Sequence, residues 1–238
     1  MPVIIKLIPR RKNAWVEIVP DAGAGLRLPR EALPAYVQTD QTVDAADWAQ
    51  LVELAAYHGL LDKALRILGR REHFHAELKR KLYQRTPDRE LVTRILAECR
   101  RRDYLNDERA AEFTVQQLLN RGGVGRTRLR QELMKRGCPP ELAREAVLKH
   151  AADLDETEEL KRLLNSRRRS FAARIERLRA KLNKQGVTPA RQTAELKRNI
   201  GLSMRNFLAG RGFTGEAARH AVDEFIGELI GAEEAEFN

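Results

Sequence analysis

The sequence predicts a mainly α chain: three tandem three-helix, helix-turn-helix-like repeats in an elongated curved array, with a small N-terminal β-containing segment. Three observations carry this. SMRNFLAGRGFTGEAARHAV (203–222) lies over RLRQELMKRGCPPELAREAV (128–147) without a gap, with nine of twenty positions identical, among them Arg130/Arg205, Leu133/Leu208, Arg136/Arg211, Gly137/Gly212 and Glu141/Glu216. A fainter copy stands 51 residues upstream at 77–96, where Leu78, Leu82, Arg85, Glu90 and Leu91 fall on Leu129, Leu133, Arg136, Glu141 and Leu142. Self-similarity of this kind is the signature of stacked repeats. From residue 60 onward apolar side chains recur at three- and four-residue steps, whereas 3–8 (VIIKLI) and 14–19 (AWVEIV) are β-branched runs.

The repeated unit has a physical reading. Leu129 and Leu133 share one helix face. Gly137 ends that helix, because glycine accepts the left-handed conformation of a C-terminal cap. Pro139-Pro140 opens the next helix, whose stripe is Leu142, Ala143, Ala146 and Val147. Gly212 and Thr214 do the same work in the third copy, and Thr86-Pro87-Asp88 in the first. Neither helix of a pair can bury its stripe alone, so stacked units share a core.

Taken in order, residues 1–58 form the β-containing segment. Two strands at 3–8 and 14–19 and a short one at Leu26–Leu28 precede a helix capped by Thr42 or Asp44 and running to about Tyr57, with Trp48, Leu51, Val52 and Ala55 inward. Both tryptophans are read as core. Repeat 1 (59–104) has helices at 60–71, at Phe74–Tyr83, and at Asp88–Arg102 with Leu91, Val92, Ile95, Leu96 and Cys99 inward. Repeat 2 (105–153) has helices at 106–120, 126–136 and 139–150, with Asn106 as N-cap and Tyr104 as a packed ring beside it. Repeat 3 (154–231) opens with a capping box at Asp155 and Glu158. A bend or loop is expected at Arg167–Arg169, and further helices from Thr188-Pro189 and from about Glu216. Compared with repeat 2 it has a 25-residue surplus, read as a basic insertion at about 166–200.

Charge points to a partner. The net charge is +10. Residues 161–211 carry 15 basic and 2 acidic side chains, while 212–238 carry 1 and 7. A basic body implies a polyanionic partner; the alternative is a solvated, arginine-rich helix surface. No apolar run approaches the roughly 20 residues that cross a membrane, and the N-terminal residues do not form a secretory signal. Cys99 and Cys138 read as reduced thiols in a cytoplasmic protein.

Catalysis finds little support, and no cofactor or metal is expected. The five histidines are scattered, and His73 and His75 diverge if helical. Gly122-Gly123-Val124-Gly125 before Arg126-Thr127 superficially suggests a phosphate loop. It lacks the Gly-Lys-Ser/Thr ending and follows a helix. The chain is read as a non-enzyme.

Several segments carry a family resemblance. Ala64, Leu65, Leu68 and Arg71 with Glu77, Leu78, Lys81 and Leu82 resemble the first unit of RecX, the bacterial regulator of the RecA recombinase. Asp103-Tyr104-Leu105-Asn106-Asp107-Glu108-Arg109-Ala110 resembles that family's most recognisable motif. Gly125, Leu129, Glu132, Leu133, Lys135 and Gly137 resemble its second unit, and Phe207, Leu208, Arg211, Gly212 and Phe213 its third. The resemblance covers roughly 60–225. It implies three tandem three-helix repeats that bind the RecA–DNA nucleoprotein filament and limit its extension, ATP hydrolysis and strand exchange. A role in recombination, DNA repair and the SOS response follows from it.

The candidate contacts to that filament or to nucleic acid are Arg126, Arg128, Arg130, Lys135 and Arg136 in repeat 2 and Arg205 and Arg211 in repeat 3. Their repeat 1 counterparts are Lys79, Arg80, Lys81 and Arg85, and Arg167, Arg168 and Arg169 add the insertion. Each arginine alone is better explained as a solvated side chain, whereas the set is read as a binding surface. Arg130/Arg205 and Arg136/Arg211 stand out because they recur, although a local brace to the recurring Glu141/Glu216 would also account for recurrence. The expected partners are the RecA filament and, weakly and electrostatically, single- or double-stranded DNA, with the chain itself monomeric. A stand-alone DNA- or RNA-binding helical-repeat protein is the alternative.

Overall fold

A computed structural model describes residues 4–10 and 14–236. Val3, expected in the first strand, lies outside the described residues. Among those described are a three-stranded sheet and ten α-helices, so the chain is mainly helical with a small N-terminal sheet. It divides into two compact units, 1–107 and 108–238.

In the first unit β1 (Ile4–Arg10), β2 (Trp15–Pro20) and β3 (Leu26–Pro29) form an antiparallel meander. Val16 pairs with Leu28 and Ile18 with Leu26. The two-residue alternation of a strand puts Val16, Ile18 and Pro20 on the buried face. That face packs with Val37, Val43 and Leu51.

Helix α1 (Ala45–Leu68) follows, with Asp44 capping it by accepting the Asp47 N–H at 2.7 Å. Sequence spacing suggested two helices, one ending near Tyr57 and one starting near 60; the structure has one. Two cores explain its length. Leu51 belongs to the sheet's core, and Leu60, Leu61 and Ala64 to the core of the helices that follow. The helix runs through Gly59 between them, held by packing at both ends. Val52, expected inward, is exposed, because the sheet takes the Leu51 face.

Helices α2 (His75–Tyr83) and α3 (Arg89–Arg101) complete this unit's helical part. Asp88 caps α3 through the Leu91 N–H at 2.9 Å. The expected stripe of α3, Leu91, Val92, Ile95, Leu96 and Cys99, is buried in full. Each such Leu or Ile contributes about 1.5–3 kcal/mol relative to exposure. After α3 the chain turns at Asp103, whose φ is 54°. Tyr104 N–H and Leu105 N–H both reach the Cys99 carbonyl, at 2.9 and 3.2 Å. The turn buries Leu105 and directs Tyr104 outward at 45% exposure. The expected packed ring is therefore corrected: Leu105 is the anchor. Asp107 acts as a cap at a distance, accepting the His75 N–H at 2.6 Å where α2 has no cap of its own.

The second unit holds α4 (Asp107–Arg121), α5 (Arg126–Arg136), α6 (Pro140–His150), α7 (Glu156–Ser166), α8 (Arg168–Lys184), α9 (Pro189–Gly210) and α10 (Glu216–Glu236). Gly137 ends α5 at φ 101°, and Pro139-Pro140 opens α6. Asp155 caps α7 through the Thr157 and Glu158 N–H groups at 2.9 and 3.1 Å. The break expected at Arg167–Arg169 falls at Arg167, between α7 and α8.

The surplus residues of repeat 3 are α8 and the first half of α9. They form a hairpin closed by Gly186, with α9 running unbroken into the repeated segment. Phe171, Ile175, Leu196, Ile200, Met204 and Leu208 share one core with α7 and α10. All three repeated segments, 77–96, 128–147 and 203–222, are helix, turn, helix.

Candidate nucleic-acid interface

The recurring turn is where repeats 2 and 3 meet. Gly125 N–H donates to the Arg211 carbonyl at 2.9 Å. A side chain at Gly125 would press on the Gly212 carbonyl, and one at Gly212, where φ is 87°, would overlap the Arg128 backbone. Repeat 3 carboxylates take amides here: Arg126 N–H, the first of α5, donates to Glu156 Oε1 at 2.7 Å, and Gly123 N–H, in the loop before it, donates to Glu159 Oε1. A helix N-terminus favours an anion; here this chain supplies it. The glycine-rich stretch is thus an intramolecular junction.

Arg126 braces the same place. Its Nη2 donates to the carbonyls of Ala151, Ala152 and Leu154 at 3.1, 3.3 and 2.9 Å, in the turn that follows α6. Its Nη1 lies 3.4 Å from Glu156 Oε2. These contacts tie its two terminal nitrogens to the junction.

Beside this junction is a cleft of about 370 Å³ whose lining includes Arg121, Gly123, Arg128, Glu132, Arg136 and Arg211. Arg136 and Arg211 occupy the same position of their repeats, yet the turn of repeat 3 packs against the start of α5 and brings both to one cavity. Arg128 is held by Glu132 at 2.6 Å. Arg211 stacks on the Phe207 ring at 5.7 Å, and Arg167 lies 5.4 Å from the same ring. Four guanidinium groups stand against one carboxylate beside Gly122 and Gly123, which leaves the cleft with an excess of positive charge, and arginine forks match phosphate and carboxylate geometry. Arg121 was not singled out by the sequence. Its signal is its place immediately before the Gly122-Gly123 pair, both at φ 67°.

Other candidates fall elsewhere. Arg130 and Lys135 are exposed on α5, away from the cleft lining. Arg205 faces Asp223 of α10 at 3.7 Å. Glu141 pairs with Arg144 at 3.4 Å, so the brace considered for Arg130 and Arg136 goes to a different arginine. Arg168 lies over the Phe225 ring at 5.4 Å and pairs with Glu228 at 3.2 Å. Arg169 is exposed.

In the first unit Lys79, Arg80 and Arg85 are exposed, with Lys79 Nζ 5.9 Å from the Tyr83 ring. Lys81 is engaged in a buried network that the sequence did not reveal. His73 and Glu77 are only 1% and 5% exposed. The Arg71 guanidinium grips both Glu77 oxygens, and Lys81 Nζ lies 3.2 Å from Glu77 Oε1. His73 Nδ1 lies 2.8 Å from the Arg71 carbonyl and can only donate there, so Nε2 accepts from Lys81 Nζ at 2.8 Å. His73 is thereby fixed as a neutral ring, and burial pushes its pKa down. Burial pushes the Glu77 pKa up, but the bonds from Arg71 and Lys81 outweigh it and draw the carboxyl below its usual range.

Comparison with known proteins bears on this geometry. Residues 106–147 match the family model described as RecX, second three-helix domain. A regulatory protein RecX of Trichlorobacter lovleyi is 37% identical over 108 residues, covering 45% of this chain and 70% of that protein. One from Deinococcus radiodurans is 32% identical over 177 residues, covering 74% and 72%. One from Leptothrix cholodnii is 30% identical over 163 residues, covering 68% and 87%. A crystal structure of a regulatory protein RecX matches the fold with a TM-score of 0.57 at 16% identity, covering 96% of this chain and 100% of that one.

Proposed function

The chain belongs to the RecX family of regulatory proteins, and from that membership we propose that it regulates the RecA recombinase. It binds the RecA–DNA filament and limits its extension, its ATP hydrolysis and its strand exchange. It acts without catalysis of its own, in the cytoplasm, where the filament forms.

The observation that carries the reading to particular residues is the cleft where Arg136 and Arg211 converge with Arg121 and Arg128. A nucleoprotein filament presents both phosphates and acidic side chains, and an arginine cluster with a single paired carboxylate suits either. The exposed Arg130, Lys135 and Arg169 in the second unit, and Lys79, Arg80 and Arg85 in the first, add screened, adjustable charge that steers encounter. Arg126 supports the junction, and Arg167, Arg168 and Arg205 act through the rings and carboxylates that hold them.

Titration of the chain into RecA hydrolysing ATP on single-stranded DNA tests this. The expected result is inhibition well below one molecule per RecA monomer. Undiminished hydrolysis at equal stoichiometry, with tight binding to naked nucleic acid, overturns it in favour of a stand-alone nucleic-acid-binding protein.

A further inference from the structure

Helix α8 carries a second charged feature, distinct from the arginine cleft. Its inward stripe is Phe171, Ile175, Leu178 and Leu182, at steps of four and three. Arg174, Arg177, Lys181 and Lys184 repeat at steps of three, four and three, and all four are exposed. At 1.5 Å per residue they form a row about 15 Å long, turned roughly a third of a circle from the buried stripe. Arg174 Nη1 donates to Ser203 Oγ at 2.6 Å, and Arg177 Nε to the Ala173 carbonyl of its own helix at 3.1 Å. Neither contact neutralises charge. Only Glu176 among the residues of α8 is acidic, and it points away from the row by helical geometry.

The row leads into a groove of about 740 Å³ at the closed end of the hairpin. Lys181, Arg191 and Arg198 line it together with the apolar Leu178, Leu182, Val187 and Ala194, with Gln185, Glu195 and Asn199 completing the lining. Arg198 is held by Glu195 at 3.1 Å, which fixes its position at the rim.

We propose that the α8–α9 hairpin is a seat for single-stranded nucleic acid, with the row on α8 following the phosphodiester backbone and the groove taking an unstacked base. Lysines and arginines repeated along one helix face meet successive phosphates. Apolar side chains beside three basic ones and the amides of Gln185 and Asn199 fit a base that is free of its partner, which a duplex does not offer. The hairpin thus gives the chain a contact with a DNA strand that does not require RecA and does not use the cleft formed with repeat 2.

The test is fluorescence anisotropy of labelled single-stranded and blunt duplex oligonucleotides with the full chain, across a salt series and without RecA. The compared variants are Arg174→Gln, Arg177→Gln, Lys181→Gln and Lys184→Gln combined, and the pair Lys181→Glu, Lys184→Glu. Thermal melts show that both fold. The quadruple variant is expected to bind single strands at least about tenfold more weakly at low salt. The slope of log K against log salt should fall by about 3, the value for four lost phosphate contacts at roughly 0.7 each. The pair is expected to weaken binding in the same direction, with smaller losses on duplex. Unchanged affinity and slope on single strands in both variants overturns the proposal, and an equal loss on duplex overturns its assignment to a single strand.

Discussion

Repeats 2 and 3 use one sequence pattern in two settings. Helix α5 has 11 residues and begins at Arg126, whose N–H is taken by Glu156 of the next repeat, while Glu159 takes the Gly123 N–H of the loop before it. Helix α9 has 22 residues, because the positions equivalent to the helix-breaking Gly122, Gly123 and Gly125 are Lys197, Arg198 and Ile200, and the helix runs through them. Arg130 is exposed; its equivalent Arg205 faces Asp223, and the position matching Asp223 in repeat 2 is Leu148, itself 74% exposed. Arg136 and Arg211 meet in one cleft. A recurring residue therefore has a recurring place in its own helix, while its role depends on which neighbour that helix is given.

The comparison can be sharpened, beginning with the largest effect. Gly137 and Gly212 are equivalent and both left-handed, at φ 101° and 87°. Gly137→Ala is expected to cost about 1–2 kcal/mol, the conformational penalty alone. Gly212→Ala adds an overlap with the Arg128 backbone and should cost at least about 3 kcal/mol. Urea denaturation followed by circular dichroism measures both, and equal losses would mean that the junction does not depend on close approach there. Arg126→Ala comes next. It removes three bonds to carbonyls and an ion pair, for about 1.5–3 kcal/mol. Arg205→Ala, whose exposed pair is at 3.7 Å, should cost under about 1 kcal/mol in the same assay. A reversed order would remove the distinction between brace and surface charge. Changing both Arg130 and Arg136 to Glu should weaken filament binding and flatten its salt dependence; binding unchanged across a salt series would exclude α5 from the contact.

The smallest effect concerns pH and separates the two units. His58, His73 and His75 all have pKa values lowered from 6.5, first by burial. A base with a depressed folded pKa binds fewer protons when folded. Stability is then complete above pH 6.5 and declines as pH falls through the folded values. Glu77, also lowered, extends the decline below pH 4.5. Both tryptophans, Trp15 and Trp48, lie in the first unit, so tryptophan fluorescence reports on it alone. Its denaturation midpoint should fall between pH 7 and pH 5. A constant midpoint would contradict the account of His73 as a ring held neutral.

Much of the fold was legible because periodicity reports burial directly. The five residues of the α3 stripe and the glycine turns are examples. Helix continuity was less so: nothing local says that Gly59 and Gly201 lie inside helices, since packing at both ends of α1 and along α9 decides it. Tyr104 misled because a turn chooses between neighbouring large side chains by geometry, and Leu105 took the core. The candidate site was legible as a set of arginines and no further. Which ones converge depends on the contact of Gly125 with Arg211 and Gly212, and Arg121 enters only through that contact. The buried network of His73 and Glu77 was hidden because four charged or polar residues over 71–81 read as a solvated surface.

The most direct test of the account compares wild type with the combined Arg136→Gln, Arg211→Gln variant in inhibition of RecA ATP hydrolysis on single-stranded DNA, with Arg144→Gln as a surface control. The account predicts that the combined variant needs at least about tenfold more protein for half inhibition, while the control matches wild type. Equal potency of all three would contradict it.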